Sequence, residues 1–181
     1  MPKEPVYTIE DIFALPDRQR AELIDGTIYA MAPPTREHQR IVTEVSAAIS
    51  QHIRFHKGGC EVYAAPFAVI LNRDDDTCVE PDITVVCDPD RLSERGCEGA
   101  PDWVIEVVSR SSREMDYYVK LMKYRSAGVR VYWIIDPLRR AVRVYNFMNE
   151  DETADYSFED SIPAVIYPGF SLCIGALTES V

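Results

Sequence analysis

The 181-residue chain has no apolar run long enough to cross a bilayer, and residues 1–16 lack the apolar stretch of a secretory signal peptide. It has five cysteines and no C-x-x-C pair. That pattern favours reduced thiols over a disulfide framework or a zinc site. We therefore expect a cytoplasmic protein with no membrane segment.

The chain has fewer basic than acidic residues: 19 Lys and Arg against 30 Asp and Glu give a net charge of −11. This argues against a protein that binds nucleic acid over its whole surface. Segment 110–143 differs, with nine Lys/Arg and three Asp/Glu, a net of +6; the rest of the chain carries 10 − 27 = −17. The segment is either a set of solvated surfaces or one basic face for an anionic substrate, and charge alone does not decide between them.

Length and an apolar content of 46% predict one globular domain spanning residues 1–181. Hydrophobic periodicity and turn residues predict its elements in order. They are a short helix at 9–15, a hairpin at 22–29 turning at Asp25-Gly26, a helix at 36–52, strands at 61–71, 78–87 and 103–108, a helix at 112–127, strands at 129–135 and 142–147, and a short last strand after 170. The order predicts a mixed β-sheet flanked by helices, of the α/β (α+β mixed) class.

One ionisable residue, Glu106, lies inside the apolar run Trp103–Val108. Side chains alternate along a strand, so Glu106 should share a face with Val104 and Val108. A carboxylate buried there is costly unless it is paired or binds a metal. Asp82 follows Pro81 inside the predicted strand at 78–87, where a proline marks an edge strand or a bulge. Neighbouring strands would bring Asp82 and Glu106 to one divalent cation, and their oxygens suit Mg²⁺ or Mn²⁺.

The helix after Glu106 carries Asp116, Lys120 and Tyr124 at i, i+4 and i+8, which places them on one side. A buried acid followed by such a helix predicts a reactive site. Simpler interpretations stay open. Tyr124 also fits a core position, and Asp116 fits a first-turn acid favoured by the helix dipole.

The ordered set of motifs resembles the PD-(D/E)-x-K nuclease superfamily, and more closely its Uma2 (DUF820) branch of restriction endonucleases. The resemblance covers about Tyr7 to Phe147, the expected core, and leaves 148–181 as a C-terminal β extension. The matching residues are Glu22-Leu23-Ile24-Asp25-Gly26, His38-Gln39, Glu80-Pro81-Asp82, Val104-Ile105-Glu106-Val107, Ser109-x-Ser111, Asp116-x-x-x-Lys120-x-x-x-Tyr124, Gly128-Val129 and Tyr132-Trp133-x-x-Asp136-Pro137.

The resemblance implies a restriction-endonuclease-like core and a Mg²⁺- or Mn²⁺-dependent endonuclease acting on DNA. Asp82, Glu106 and the backbone carbonyl of Val107 would hold the metal, with Glu22 completing its shell. The superfamily's strand lysine would stand at position 108, where this chain has valine. The resemblance implies that Lys120 replaces it, so the predicted catalytic set is Asp82, Glu106 and Lys120.

Other residues receive supporting roles from the same comparison. His38, Asp116 and Tyr124 would support the site. His38 would bond a carboxylate or a phosphate, or it is a structural histidine whose ring nitrogens are hydrogen-bonded within the fold. Glu22 is as compatible with a solvated strand position as with a ligand. Three cations are candidate contacts for substrate phosphates: Arg110, Arg113 and Lys123.

Two functions from different classes remain. The first is a DNA endonuclease, expected to be a homodimer because cutting both strands suits two-fold symmetry. The second is a catalytically degenerate member of the fold that serves as a binding or assembly module. Net charge and the missing strand lysine favour the second, whereas the retained Asp82, Glu106 and Lys120 favour the first.

Overall fold

The computed structural model describes residues 6–16, 19–72, 76–110, 112–149 and 152–179. In chain order the elements are α1 (Ile9–Phe13), β1 (Ala21–Ile24), β2 (Thr27–Ala30), α2 (Arg36–Phe55), β3 (Glu61–Ala64), β4 (Val69–Ile70), β5 (Cys78–Val79), β6 (Ile83–Val86), a 3₁₀ turn (Pro89–Arg91), β7 (Leu92–Ser93), β8 (Gly96–Glu98), β9 (Trp103–Val107), a π-helical segment (Met115–Lys120), α3 (Leu121–Ala127), β10 (Val131–Asp136), β11 (Ala141–Asn146), β12 (Glu152–Ser157), β13 (Ile162–Pro163), β14 (Ser171–Leu172) and α4 (Ile174–Thr178).

Two six-stranded sheets carry the architecture, which confirms a mixed α/β fold but adds a second sheet to the one expected. The central sheet has the order β12-β11-β10-β9-β6-β3, and the second has the order β2-β1-β5-β4-β8-β7. In the central sheet β9 and β10 are parallel, joined by the π-helical segment and α3. Strand β6 pairs antiparallel with β9, with Ile83 opposite Ile105, so Asp82 lies beside the strand of Glu106, as predicted.

The two faces of β9 point in opposite directions, also as predicted. Trp103, Ile105 and Val107 belong to the core cluster that contains α2, whereas Val104 and Val108 pack in a second cluster with Tyr124 of α3. Because side chains alternate, Glu106 faces the α3 side of the sheet. The valine at position 108 therefore fills the core where a lysine would have faced the site.

Helix α2 begins after Thr35, whose hydroxyl accepts a hydrogen bond from the His38 backbone at 3.2 Å. Its apolar stripe packs on the central sheet and includes Ile41, Val45 and Ile49. The helix runs three residues beyond the predicted end at His52, because buried Ile53 continues the stripe.

The long strands predicted at 61–71 and 78–87 are each broken. β3 and β6 belong to the central sheet, while β4 and β5 belong to the second. Pro66 and Pro81 lie between the halves, where a residue without an N–H interrupts the ladder. The Asp25-Gly26 turn is confirmed, with φ of 50° and 71°, the left-handed values of a type I′ turn. Strands β7, β8 and β13 and helix α4 were not predicted, and β12 was expected only as part of a C-terminal β extension, because these segments are short or mostly polar.

The cysteine prediction is wrong for one pair. Cys60 and Cys87 flank the β3–β6 ladder directly opposite each other and form a disulfide, while Cys78, Cys97 and Cys173 are free thiols. The cytoplasmic location rested on reduced thiols and stays a prediction. Within the described ranges, no helix is both long and apolar enough to span a membrane. Most of the acidic run 74–76 and Ser111 lie outside the described residues.

Candidate active site

Glu106 is 4% exposed and receives two strong hydrogen bonds at one oxygen. The Tyr124 hydroxyl donates to Oε1 at 2.7 Å, and the Lys120 ammonium donates to the same atom at 2.9 Å. From the residues that the structure describes, the other oxygen, Oε2, receives one long bond of 3.4 Å, donated by the Asp82 backbone N–H. Glu106 is thus anchored through one oxygen, with the second turned toward Asp82.

Asp82 is anchored in the same way. The Val107 backbone N–H donates to its Oδ2 at 2.8 Å, and His38 Nε2 lies 3.1 Å from that atom. No described residue bonds Oδ1. The side chain is 16% exposed, so this carboxylate lies at the opening of the site to solvent.

Glu22 comes from β1 of the second sheet and follows the same pattern. Its Oε1 accepts from Lys120 Nζ at 2.8 Å and from the Glu80 backbone N–H at 3.0 Å. Arg20 in turn bonds the Glu80 side chain, with Nε 2.8 Å from Oε2. In the described part of the chain, nothing bonds the second oxygen of Glu22.

Lys120 lies at the centre of these acids, with its side chain 6% exposed. Its ammonium is 2.8 Å from Glu22, 2.9 Å from Glu106 and 3.7 Å from Asp116. Of the three N–H donors of the ammonium, Glu22 and Glu106 accept two, whereas Asp116 at 3.7 Å is an ion-pair neighbour beyond hydrogen-bond distance. Lys120 therefore bridges the two sheets and pairs more closely with Glu22 and Glu106 than with its helical neighbour Asp116.

A π-helical segment positions this lysine. Such segments are rare and often occur at functional sites. Here it spans Met115–Lys120 before regular helix resumes in α3. The Tyr132 hydroxyl of β10 donates to the Asp116 carbonyl at 3.0 Å and so holds the segment against the sheet. The predicted convergence of Asp116, Lys120 and Tyr124 is confirmed, although the first turns are wider than expected.

The site contains more carboxylates than cationic groups to neutralise them. Burial raises the pKa of Glu106 well above its ordinary value, despite the opposing charge of Lys120. Burial also raises the pKa of Asp116 to about 6. Burial disfavours the charged form of Lys120, but Glu106, Glu22 and Asp116 outweigh it and raise the pKa of the ammonium. Three carboxylates around one ammonium, with Asp82 beside Glu106, favour a further cation or bound protons.

The basic segment 110–143 is not one free basic face, because at least seven of its nine cationic side chains form ion pairs with described residues. Arg113, a predicted phosphate contact, pairs with fully buried Asp136: NH2 donates to Oδ1 at 3.0 Å and NH1 lies 2.7 Å from Oδ2. Lys123, another such candidate, pairs with Asp25. Arg110 is exposed at the end of the loop after β9.

Sequence reasoning gave no role to Glu80 and Tyr132, which support the site, or to Asp136, which holds Arg113. Asp136 ends an apolar run of β10, just as Glu106 interrupts one in β9, so the same burial argument could have identified it. The support that Arg20 and Glu80 give to Glu22 joins positions 58 to 60 residues apart in the chain. No local pattern predicts that contact.

The donor chemistry fits a divalent cation. Mg²⁺ keeps several waters and is bound through one or two carboxylates, so the less bonded oxygens of Asp82 and Glu106 suffice. Across the described ranges, no group of three or more His, Cys, Asp or Glu has the spacing to hold a metal. Asp82, Glu106 and the Val107 carbonyl stay the predicted ligands. Glu22 also stays a predicted ligand, although the three described acids are not grouped so as to hold one ion together.

A mixed sheet with acids on adjacent strands and a lysine from the following helix defines a restriction-endonuclease-like protein. In agreement, the fold matches the crystal structure of a protein described as "a putative nuclease belonging to DUF820" from Anabaena variabilis, with a TM-score of 0.77 and 22% identity, over 94% of this chain and 97% of that one. The Uma2 family model, described as "Putative restriction endonuclease", matches residues 9–175, and the chain belongs to this family.

A relative in Synechocystis sp. (strain ATCC 27184 / PCC 6803 / Kazusa), "Uncharacterized protein slr1290", is 33% identical over 124 residues. That match covers 66% of this chain and 63% of the relative's length.

Proposed function

We propose that this protein is a metal-dependent endonuclease that hydrolyses phosphodiester bonds in DNA, using Mg²⁺ or Mn²⁺. One observation carries the proposal. Asp82, Glu106 and Glu22 each receive two close donors at one oxygen, while the second oxygen is weakly bonded or has no partner among the described residues. Each of the three acids therefore keeps one oxygen available to a cation.

Asp82, Glu106 and the Val107 carbonyl would hold the cation, with Glu22 as a further candidate. A bound Mg²⁺ or Mn²⁺ supplies Lewis-acid polarisation of a phosphoryl oxygen and lowers the pKa of a bound water.

The protein's own side chains set the direction of substrate entry. Asp82 and His38 are the more exposed members, at 16% and 14%, so the phosphodiester would enter on their side. Lys120 lies beneath, where it neutralises and orients Glu106 and Glu22. Stabilisation of the transition state by Lys120, as the family resemblance implies, would require its ammonium to reach the phosphate with the donor that Glu22 and Glu106 leave.

A binding or assembly module without catalysis is the second candidate. The paired state of the basic segment favours it, because little free positive charge is left to attract a polyanion. A homodimer remains our expectation for the endonuclease, since two sites would cut two strands, and sedimentation velocity tests it.

The test is a cleavage assay on double-stranded DNA, single-stranded DNA and RNA, each with Mg²⁺, Mn²⁺ or EDTA. We expect DNA cleavage with either metal and none in EDTA. Asp82→Asn and Glu106→Gln should lower the rate at least about 100-fold, whereas Asp90→Asn and Glu94→Gln, at exposed acids outside the site, should not. Metal binding without cleavage of any substrate would favour the second candidate.

A further inference from the structure

His38 reaches the site from the first turn of α2, whereas the acids come from the two sheets. Its Nε2 lies 3.1 Å from Asp82 Oδ2, the oxygen that also accepts the Val107 N–H at 2.8 Å. Two donors on one oxygen fix the plane of the carboxylate and leave Oδ1 as the atom available to a ligand.

Glu106 shows the same arrangement on the neighbouring strand. There Tyr124 and Lys120 converge on Oε1 and leave Oε2. The two carboxylates that would share a cation are therefore each held by a pair of donors, from α2 and β9 for Asp82 and from the helix after β9 for Glu106.

Among the described residues, the His38 ring has two polar neighbours, the Asp82 carboxylate and the Val107 backbone, and both belong to the site. Its second nitrogen, Nδ1, is buried and bonds to none of the residues that the structure describes. The start of α2 does not need the ring, since Thr35 caps the helix through the His38 backbone N–H. A histidine kept only for packing would satisfy both nitrogens or expose them.

We propose that His38 is a positioning residue: its Nε2–H holds the Asp82 carboxylate so that Oδ1 faces the cation. This inference rests on the proposed metal site and adds to it the residue that orients its most exposed ligand. Hydrogen-bond partners of metal-binding groups typically change metal affinity by about 10- to 100-fold when they are removed.

The experiment is calorimetric titration of Mn²⁺ into the metal-free protein and three variants. His38→Leu removes the donor, His38→Gln keeps an amide N–H near the position of Nε2, and His56→Gln alters an exposed histidine at the other end of α2 as a control. We expect about 10- to 100-fold weaker Mn²⁺ binding for His38→Leu, and binding within about threefold of wild type for the other two.

Wild-type affinity in His38→Leu, or an equal loss in His38→Gln, would overturn the inference while the metal site stands. Failure of the wild-type protein to bind Mn²⁺ would overturn the metal site as well. If His38→Leu does not fold, His38→Asn replaces it, because its short amide cannot reach Asp82 and the same loss is expected. In an Asp82→Asn background, His38→Leu should add no further loss.

Discussion

Replacing Lys120 by methionine should destabilise the metal-free protein strongly. The ammonium lies 2.8 Å from Glu22 and 2.9 Å from Glu106, and its side chain is only 6% exposed. Methionine has similar length but leaves these buried carboxylates without a cation. Removing one partner of a buried ion pair costs about 3–5 kcal/mol. That is a large fraction of the roughly 5–15 kcal/mol by which domains are stable.

Lys123→Met is the matched control on the same helix. The Lys123 side chain is 20% exposed, and its partner Asp25 is 62% exposed. An exposed pair of this kind is worth about 0–1 kcal/mol. Both variants should be compared with wild type by urea unfolding in EDTA, with the midpoint and the m-value fitted separately.

A second substitution tests the cause. Glu106→Gln in the Lys120→Met protein removes one of the carboxylates that lost their cation, so it should recover part of the lost free energy of unfolding. A Lys120→Met protein as stable as Lys123→Met would refute the account of buried, uncompensated charge. So would a double variant less stable than Lys120→Met alone.

Three further predictions follow from single contacts. Tyr124→Phe should lower the free energy of unfolding by about 1.5–3 kcal/mol, because it removes a hydrogen bond to a charged carboxylate; an unchanged urea midpoint would contradict the 2.7 Å bond to Glu106. Burial raises the pKa of Asp116 from 3.8 to about 6, so its folded form binds protons more tightly and stability is lost as pH rises from about 4 to 6. Asp116→Asn should therefore stabilise the metal-free protein at pH 7.5, by at most about 3 kcal/mol. Below pH 4 the variant and the wild type should be equally stable. A stability difference of equal size at both pH values would contradict the raised pKa of Asp116. Reduction of the Cys60–Cys87 disulfide should lower the free energy of unfolding by up to about 3.5 kcal/mol, because the bond closes a loop across a separation of 27 residues. A count of five thiols in the denatured, unreduced protein would show that the bond is absent.

The core of the site was predictable because local patterns carry it. Strand alternation predicted which way Glu106 faces, and apolar periodicity predicted the helix that brings Lys120. The order of elements predicted that Asp82 lies on the neighbouring strand. Each of these depends on residues within one element or on adjacent elements, where the period of the side chains is a sufficient guide.

Contacts between distant segments were not predictable in the same way. The sequence left open whether Glu22 is a metal ligand or a solvated strand residue. Only the packing of the second sheet shows that it pairs with Lys120. The basic segment 110–143 pairs partly with its own Asp116 and Asp136, and partly with acids outside it that the sequence did not connect to it, such as Glu22 and Asp102. Cys60 and Cys87 lie opposite each other because β3 and β6 pair, and composition alone favoured free thiols.

The central claim is that Asp82 and Glu106 hold one divalent cation, and Mn²⁺ located by anomalous diffraction tests it most directly. In crystals soaked in MnCl₂ we predict an anomalous peak between these two carboxylates, and its loss in crystals of the Asp82→Asn variant. A wild-type crystal with Mn²⁺ bound elsewhere and no peak between Asp82 and Glu106 would contradict the account.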